Sequence, residues 1–128
     1  LEELAQLFKG AIFYGPDGDV AATGSDEFLK LQRKVIKIYS DTGTPHTKHV
    51  ITNVIIEIDE AKNTATAKSY FTVYQSVEQL PLQLIIAGRY NDEFDQENGV
   101  WRFIKRQTIP ELFGDLSKHL LIDISRKG

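Results

Sequence analysis

The stretch HVITNVIIEIDEAKNTATAKSYFTVYQ, His49 to Gln75, decides the fold. Val, Ile and Thr dominate its first part, His49 to Asp59, and β-branched side chains suit a pleated, half-buried strand better than a helix. Asp59-Glu60-Ala61-Lys62-Asn63 reads as a turn, and Thr64 to Gln75 resumes with strand-forming residues. The two runs therefore predict one long antiparallel hairpin. Alternation puts Val50, Thr52, Val54, Ile56 and Ile58 on one face of the first strand, and His49, Ile51, Asn53, Ile55 and Glu57 on the other. Neither set is fully polar, so both faces are expected to be covered, one by the chain's own helices and the other by a second subunit.

Downstream, a third strand is expected from about Leu82 to Phe94, with Gly88 marking a bulge or bend that curves the sheet. Asp95-Gln96-Glu97-Asn98-Gly99 turns the chain into a fourth strand, Val100 to Ile109, which Pro110 ends; Leu112 to Ile124 reads as a short helix or coil. Upstream, Leu1, Leu4, Ala5 and Phe8 recur at helical spacing. Ala11 to Tyr14 forms a short strand or extended segment before the turn Gly15-Pro16-Asp17-Gly18. Ser25 is a candidate N-cap, with Asp26 and Glu27 placed to favour the helix N-terminus. Phe28, Leu31, Val35 and Ile38 then keep the helical period to a stop near Asp41-Thr42-Gly43. Helices followed by consecutive strands give an α+β class: a curved antiparallel sheet of about four or more strands around N-terminal helices.

The chain has 128 residues, a length suited to one domain, and 1–128 is read as one. A net charge of -3 argues against nucleic acid as the partner, since phosphate binding needs concentrated positive charge. Arg102, Lys105 and Arg106 are read as a solvated strand face. There is no cysteine, which excludes disulfides, thiolate metal sites and cysteine nucleophiles. Nothing requires an oxidising compartment, so a cytoplasmic location is expected. No apolar run approaches the roughly 18 residues of a bilayer span, so no membrane partner is expected. The chain starts at Leu1 and contains no methionine, and part of an N-terminal helix is expected to be missing.

Several segments together carry a family resemblance. Gly43-Thr44-Pro45-His46-Thr47-Lys48-His49-Val50-Ile51-Thr52-Asn53 resembles the second-strand entry of SnoaL-like domains, a His followed four residues later by Asn. Ala67-Lys68-Ser69-Tyr70-Phe71, Gly88-Arg89-Tyr90-Asn91-Asp92-Glu93-Phe94, Gly99-Val100-Trp101-Arg102-Phe103 with Arg106, and the tail Gly114-Asp115-Leu116-Ser117-Lys118-His119-Leu120 follow in the expected order. The resemblance implies the α+β cone of the nuclear transport factor 2 superfamily, a cystatin-like fold whose bent sheet encloses a pocket. Its relatives include polyketide cyclases, scytalone dehydratase, ketosteroid isomerase and the β subunits of ring-hydroxylating dioxygenases. It also implies that a His on this strand acts as acid/base, assisted by an Asp or Tyr from a first helix that would lie before Leu1.

On that basis His49 is the catalytic candidate, because imidazole changes charge near neutral pH. Asn53, Ile51, Tyr70 and Tyr90 are the candidate substrate-binding residues. The bland alternatives are a buried His satisfied by neighbours, and tyrosines packed as amphipathic rings. Arg89 is expected to pair with Glu57 or Glu93, and Trp101 to lie in the core. His46 and His49 have an H-x-x-H spacing, but alternation puts them on opposite faces and no third ligand is near, so no metal is expected. His119 reads as a surface or interface residue. No phosphate loop, G-x-S-x-G motif or paired carboxylates occur.

Two functions compete. One is a cofactor-free lyase or isomerase, of dehydratase or cyclase type, acting on a small apolar or polycyclic compound. The other is a non-catalytic ligand-binding or assembly module, like a dioxygenase β subunit, with its cavity filled by Phe8, Phe28 and Tyr70. Either is expected to form a homo-oligomer, dimer or trimer, through the outer sheet face.

Overall fold

The structure, a computed structural model, describes residues 2–122. In chain order the elements are α1 (Glu2–Gln6), β1 (Ile12–Tyr14), β2 (Val20–Thr23), α2 (Gly24–Val35), β3 (Thr47–Asp59), β4 (Thr64–Val77), β5 (Leu80–Glu97) and β6 (Val100–Phe113). The strands form one curved, unclosed sheet in the order β2-β1-β6-β5-β4-β3. Every pairing is antiparallel except the short parallel contact of β1 with β6. The α+β class and the long hairpin stand as expected. Besides the four long strands located in the sequence, the short segment expected at Ala11 to Tyr14 forms β1, and β2 is the added strand; together they extend the sheet at the edge of β6.

Bulges curve the sheet and decide which side chains face inward. In β3, Thr52 pairs with Tyr70 and Ile55 with Lys68, so Asn53 and Val54 together oppose Ser69. Asn53 takes a left-handed φ of 54°, a conformation that Asn tolerates better than most residues. Directly opposed residues share a face. His49 and Ile51, opposite Val73 and Phe71, therefore lie on the inner face, and beyond the bulge the inner residues are Ile56 and Ile58, opposite Ala67 and Ala65. Strict alternation had grouped Ile56 and Ile58 with Val50; the extra residue reverses the period. In β6, Phe103 opposes Phe94 while Lys105 opposes Glu93. Ile104 is the extra residue there, and it brings Phe103 and Arg106, three apart, to the same inner face.

Other boundaries moved for local reasons. β6 continues through Pro110 to Phe113, because β1 reaches only as far as Gln107 and Pro110 sits at a register shift opposite Gly88. The expected bend at Gly88 is this shift. A Cβ there would lie 2.3 Å from the Ile109 carbonyl oxygen and 2.9 Å from the Phe71 ring, so only glycine lets these strands and that ring approach. Ser25 falls inside α2, whose N-cap is Thr23; the Glu27 carboxylate accepts the Thr23 N–H at 3.0 Å. Helix α2 stops at Val35, well before Asp41. The tail takes over its backbone bonds: Lys37 N–H donates to the His119 carbonyl, and Leu121 N–H to that of Val35.

Two buried clusters fill the space under the sheet. Ala5, Phe8, Ala11, Ala22 and Phe28 join the helices to β1 and β2, and Phe71, Val73, Ile85, Ile86, Tyr90 and Leu116 lie between the long strands and the tail. Trp101, expected in the core, is 41% exposed, because it pairs with Gln96 close to the β5–β6 turn. Arg89 pairs with Glu111 on β6, at 3.4 Å, and not with Glu57 or Glu93. Of the Leu112–Ile124 segment, Leu112 and Phe113 belong to β6, and Asp123 and Ile124 lie outside the described residues, as does Leu1. Among the described residues no helix is long and apolar enough to cross a membrane.

Candidate functional site

Between α2, the inner sheet face and the tail lies a cavity of about 550 Å³. Its walls are mainly apolar, with Phe8, Phe13 and Phe28 on one side and Ile51, Phe71 and Ile86 on the other. Phe8 holds its neighbours tightly: its ring centroid is 4.5 Å from that of Phe28, 5.1 Å from Phe103 and 5.5 Å from Phe13. Each such pair adds about 0.5–1.5 kcal/mol beyond the area it buries. Phe8 and Phe28, expected as possible fillers, form a wall and leave the space open.

Few polar groups interrupt this lining: Gln32 on α2, His49 on β3, Tyr90 on β5, Arg106 and Thr108 on β6, and His119 on the tail. His49 sits on the edge strand, open to solvent. Burial of part of the ring and the Arg106 charge both lower its pKa from the ordinary histidine value. Tyr90 is 8% exposed, and burial raises its hydroxyl pKa. Its ring stacks on Phe71 at 4.6 Å and carries the Arg106 guanidinium 3.8 Å above its centre. Arg106 is not on a solvated face as expected. It points inward and forms a two-pronged ion pair with Asp92, at 2.7 and 2.9 Å. Arg102 and Lys105 do lie outside, paired with Asp95 and Glu93.

Of the sequence candidates, His49, Ile51 and Tyr90 meet at this cavity. Tyr70 is 53% exposed on the outer face, one residue out of phase with Ser69 and Phe71. Asn53 is in the exposed bulge and does not line the cavity. His46 turns away from His49 to the 41–46 loop, where its Nε2 is 2.8 Å from Asp41. Among the described residues no group of three or more His, Asp or Glu side chains is placed to hold a metal ion.

His119 and Arg106 were missed as site residues. His119, read as a surface or interface residue, is only 7% exposed and lines the cavity. Burial and the nearby His49 lower its pKa to about 4, so it is neutral at pH 7. No periodic signal marks a residue in an irregular tail, and a bulge conceals the inward phase of Arg106.

Comparison with curated proteins finds no match. Among solved structures, a Mycobacterium tuberculosis protein of unknown function superimposes with a TM-score of 0.64 at 22% identity, over 86% of this chain and 59% of that one. This chain thus spans less than two thirds of that protein's length. A hexachlorocyclohexane dehydrochlorinase matches with a TM-score of 0.62 at 20% identity, over 97% of this chain and 78% of the enzyme. A protein from Novosphingobium aromaticivorans, designated the β subunit of an aromatic-ring-hydroxylating dioxygenase, matches with a TM-score of 0.63 at 16% identity, over 88% and 76% of the two chains. At these identities the likeness establishes a shared fold and leaves activity open. Residues 1–107 match the family of SnoaL-like domains. With most of its length matched and the bent sheet in place, the chain belongs to the SnoaL-like domain family.

Proposed function

We propose that this SnoaL-like domain is a lyase or isomerase for a small, largely apolar compound bearing a carbonyl group, with His49 as acid/base. The observation that carries this reading is the meeting of His49 with Tyr90 and Arg106 on the wall of an otherwise apolar cavity of about 550 Å³. A lowered pKa keeps the imidazole neutral, and so able to accept a proton, at pH 7. Apolar walls hold the carbon skeleton, and enolisation or elimination needs only proton transfer and stabilisation of the oxyanion, so no cofactor is required. Tyr90 and Ile51 bind the substrate on this reading. The dehydrochlorinase among the structural neighbours lends general support, as an elimination catalyst on the same fold. A cytoplasmic location fits the cysteine-free composition. The test is His49→Ala: the variant is expected to keep its circular dichroism and melting temperature and to lose turnover by roughly 100-fold or more. Unchanged turnover in the variant refutes the assignment.

A second reading, compatible with the first, is assembly. Val50, Ile55, Tyr70, Tyr74, Leu84 and Leu112 are all exposed on the outer face, more apolar side chain than isolated subunits usually leave uncovered. We propose that this face pairs copies of the chain as a dimer or trimer. Sedimentation of the protein and of Tyr70→Glu/Leu112→Glu is the measurement. A monomeric parent protein at micromolar concentration rules the pairing out.

A further inference from the structure

The backbone around the tail residue His119 is tied down by hydrogen bonds on both sides. Its amide donates to the Leu116 carbonyl at 3.0 Å, and its own carbonyl accepts from Lys37 at 2.7 Å. On one side of it the Lys118 carbonyl accepts from the Tyr39 hydroxyl and from Gln75 Nε2; on the other, Leu121 N–H reaches Val35. Leu116 anchors the same turn in the core beneath β4 and β5. A side chain with so much of its backbone tied down is preorganised.

The ring itself is unsatisfied. Nδ1 is fully buried, and among the described residues it has no hydrogen-bond partner. No hydrogen bond is made by Nε2 among the described residues either, and the ring forms part of the cavity wall. A proton on Nδ1 would be an orphaned buried donor, the rarer defect in folded proteins. The tautomer with its single proton on Nε2 avoids this defect. Burial, and after it the facing His49 from β3, oppose a second proton, in keeping with a pKa of about 4. The cavity wall thus holds two imidazoles of different character. His49 is open and able to take up a proton, and His119 is enclosed and able only to donate a hydrogen bond. Two titratable groups whose environments separate them in this way divide the roles of base and electrophile.

We propose that His119 is a catalytic residue of this site: its Nε2–H binds and polarises the substrate carbonyl oxygen while His49 removes a proton from the adjacent carbon. This rests on the reading of His49 given above and narrows the substrate class to ketones or aldehydes with an acidic α-hydrogen. In the step, the C–H bond breaks and its proton passes to His49. The electron pair forms the carbon–carbon double bond of an enolate, whose oxygen charge His119 stabilises. The proton then returns to another carbon, or a β-substituent leaves with its bonding electrons. Arg106, its charge balanced by Asp92, lines the same cavity. Thr108, whose hydroxyl oxygen is also buried without a partner among the described residues, lines the same wall.

The test uses the full chain and 4-nitrophenol, whose phenolate mimics an enolate oxygen and is coloured. Imidazole ¹⁵N NMR is expected to show His119 neutral with its proton on Nε2 between about pH 5.5 and 8. The bound probe is expected to ionise more readily than the free one. His119→Phe should weaken phenolate binding by about tenfold or more, and His119→Gln, which keeps a donor, by less. A charged His119 at pH 7, a proton on Nδ1, a parent protein that shows no preference for the phenolate or does not bind the probe at millimolar concentration, or an unchanged preference in His119→Phe each overturns the proposal. If His119→Phe does not fold, equal preference in His119→Asn, whose donor is too short to reach, overturns it instead. None of these results touches His49, whose assignment fails separately if His49→Ala retains turnover.

Discussion

Arg106 and Asp92 face each other across β6 and β5 on the inner face of the sheet, with guanidinium nitrogens 2.7 and 2.9 Å from the two carboxylate oxygens. The Asp92 side chain is 4% exposed and that of Arg106 19%, so the pair is enclosed and depends on mutual compensation. Truncating one member strands the other charge in protein, which costs far more than the intact pair contributes.

Asp92→Asn is therefore expected to lower the unfolding free energy by about 3 kcal/mol. The double change Asp92→Leu/Arg106→Met should recover much of that loss, since it removes both charges together. Urea titration measures both. A loss below about 1 kcal/mol in Asp92→Asn would mean that water reaches the pair.

Stability should fall on acidification through the range set by His119. Its folded pKa, about 4, lies below the ordinary value of 6.5, so between those values the unfolded chain binds the proton more readily. The stabilising contribution is complete above about pH 6.5 and is lost progressively as the pH falls towards 4. Its size is on the order of 3 kcal/mol. His49, also lowered by burial and by Arg106, acts in the same direction. His119→Gln should flatten the slope of unfolding free energy against pH over this range, and an identical slope in the variant would contradict the burial of the ring.

The β3 bulge gives a backbone prediction. Asn53 holds φ at 54° with its side chain in solvent. Asn53→Gly should be neutral or slightly stabilising, whereas Asn53→Val should cost about 1–2 kcal/mol, because a branched Cβ fits the left-handed region poorly. Thermal melts of the two variants compare them directly, and equal melting temperatures would argue that the bulge is absent in solution.

Gly88→Ala should be more damaging than its single methyl suggests. The new Cβ would stand 2.3 Å from a backbone carbonyl and 2.9 Å from Phe71, so two strands and a core ring must part. The expected loss is about 1–3 kcal/mol, with the Phe71–Tyr90 stack disturbed beside the cavity. An unshifted melting curve would show that β5 and β6 are not pressed together here.

The residues alone determined the class of fold. Runs of Val, Ile and Thr broken by Asp59–Asn63 and Asp95–Gly99 specify antiparallel hairpins, because side-chain type and turn chemistry act within a few residues of one another. Local phase at the start of β3 put His49 and Ile51 on one face, which the strand pairing makes the inner one, and the order of the family-like segments was enough to recognise a SnoaL-like domain. Only the tertiary structure decided the rest of the site. Two single-residue bulges, at Asn53 and near Ile104, reverse the side-chain period, so that Ile56 and Arg106 turn inward. An extra residue of this kind is selected by the paired strand as much as by its own sequence. The tail makes the same point. Helix α2 has the pattern to continue past Val35, but Lys37 N–H donates to the His119 carbonyl and Leu121 N–H to that of Val35, and these two bonds set His119 beside His49. Long-range pairing of this kind leaves no period in the sequence, and it is what brought the second histidine to the cavity.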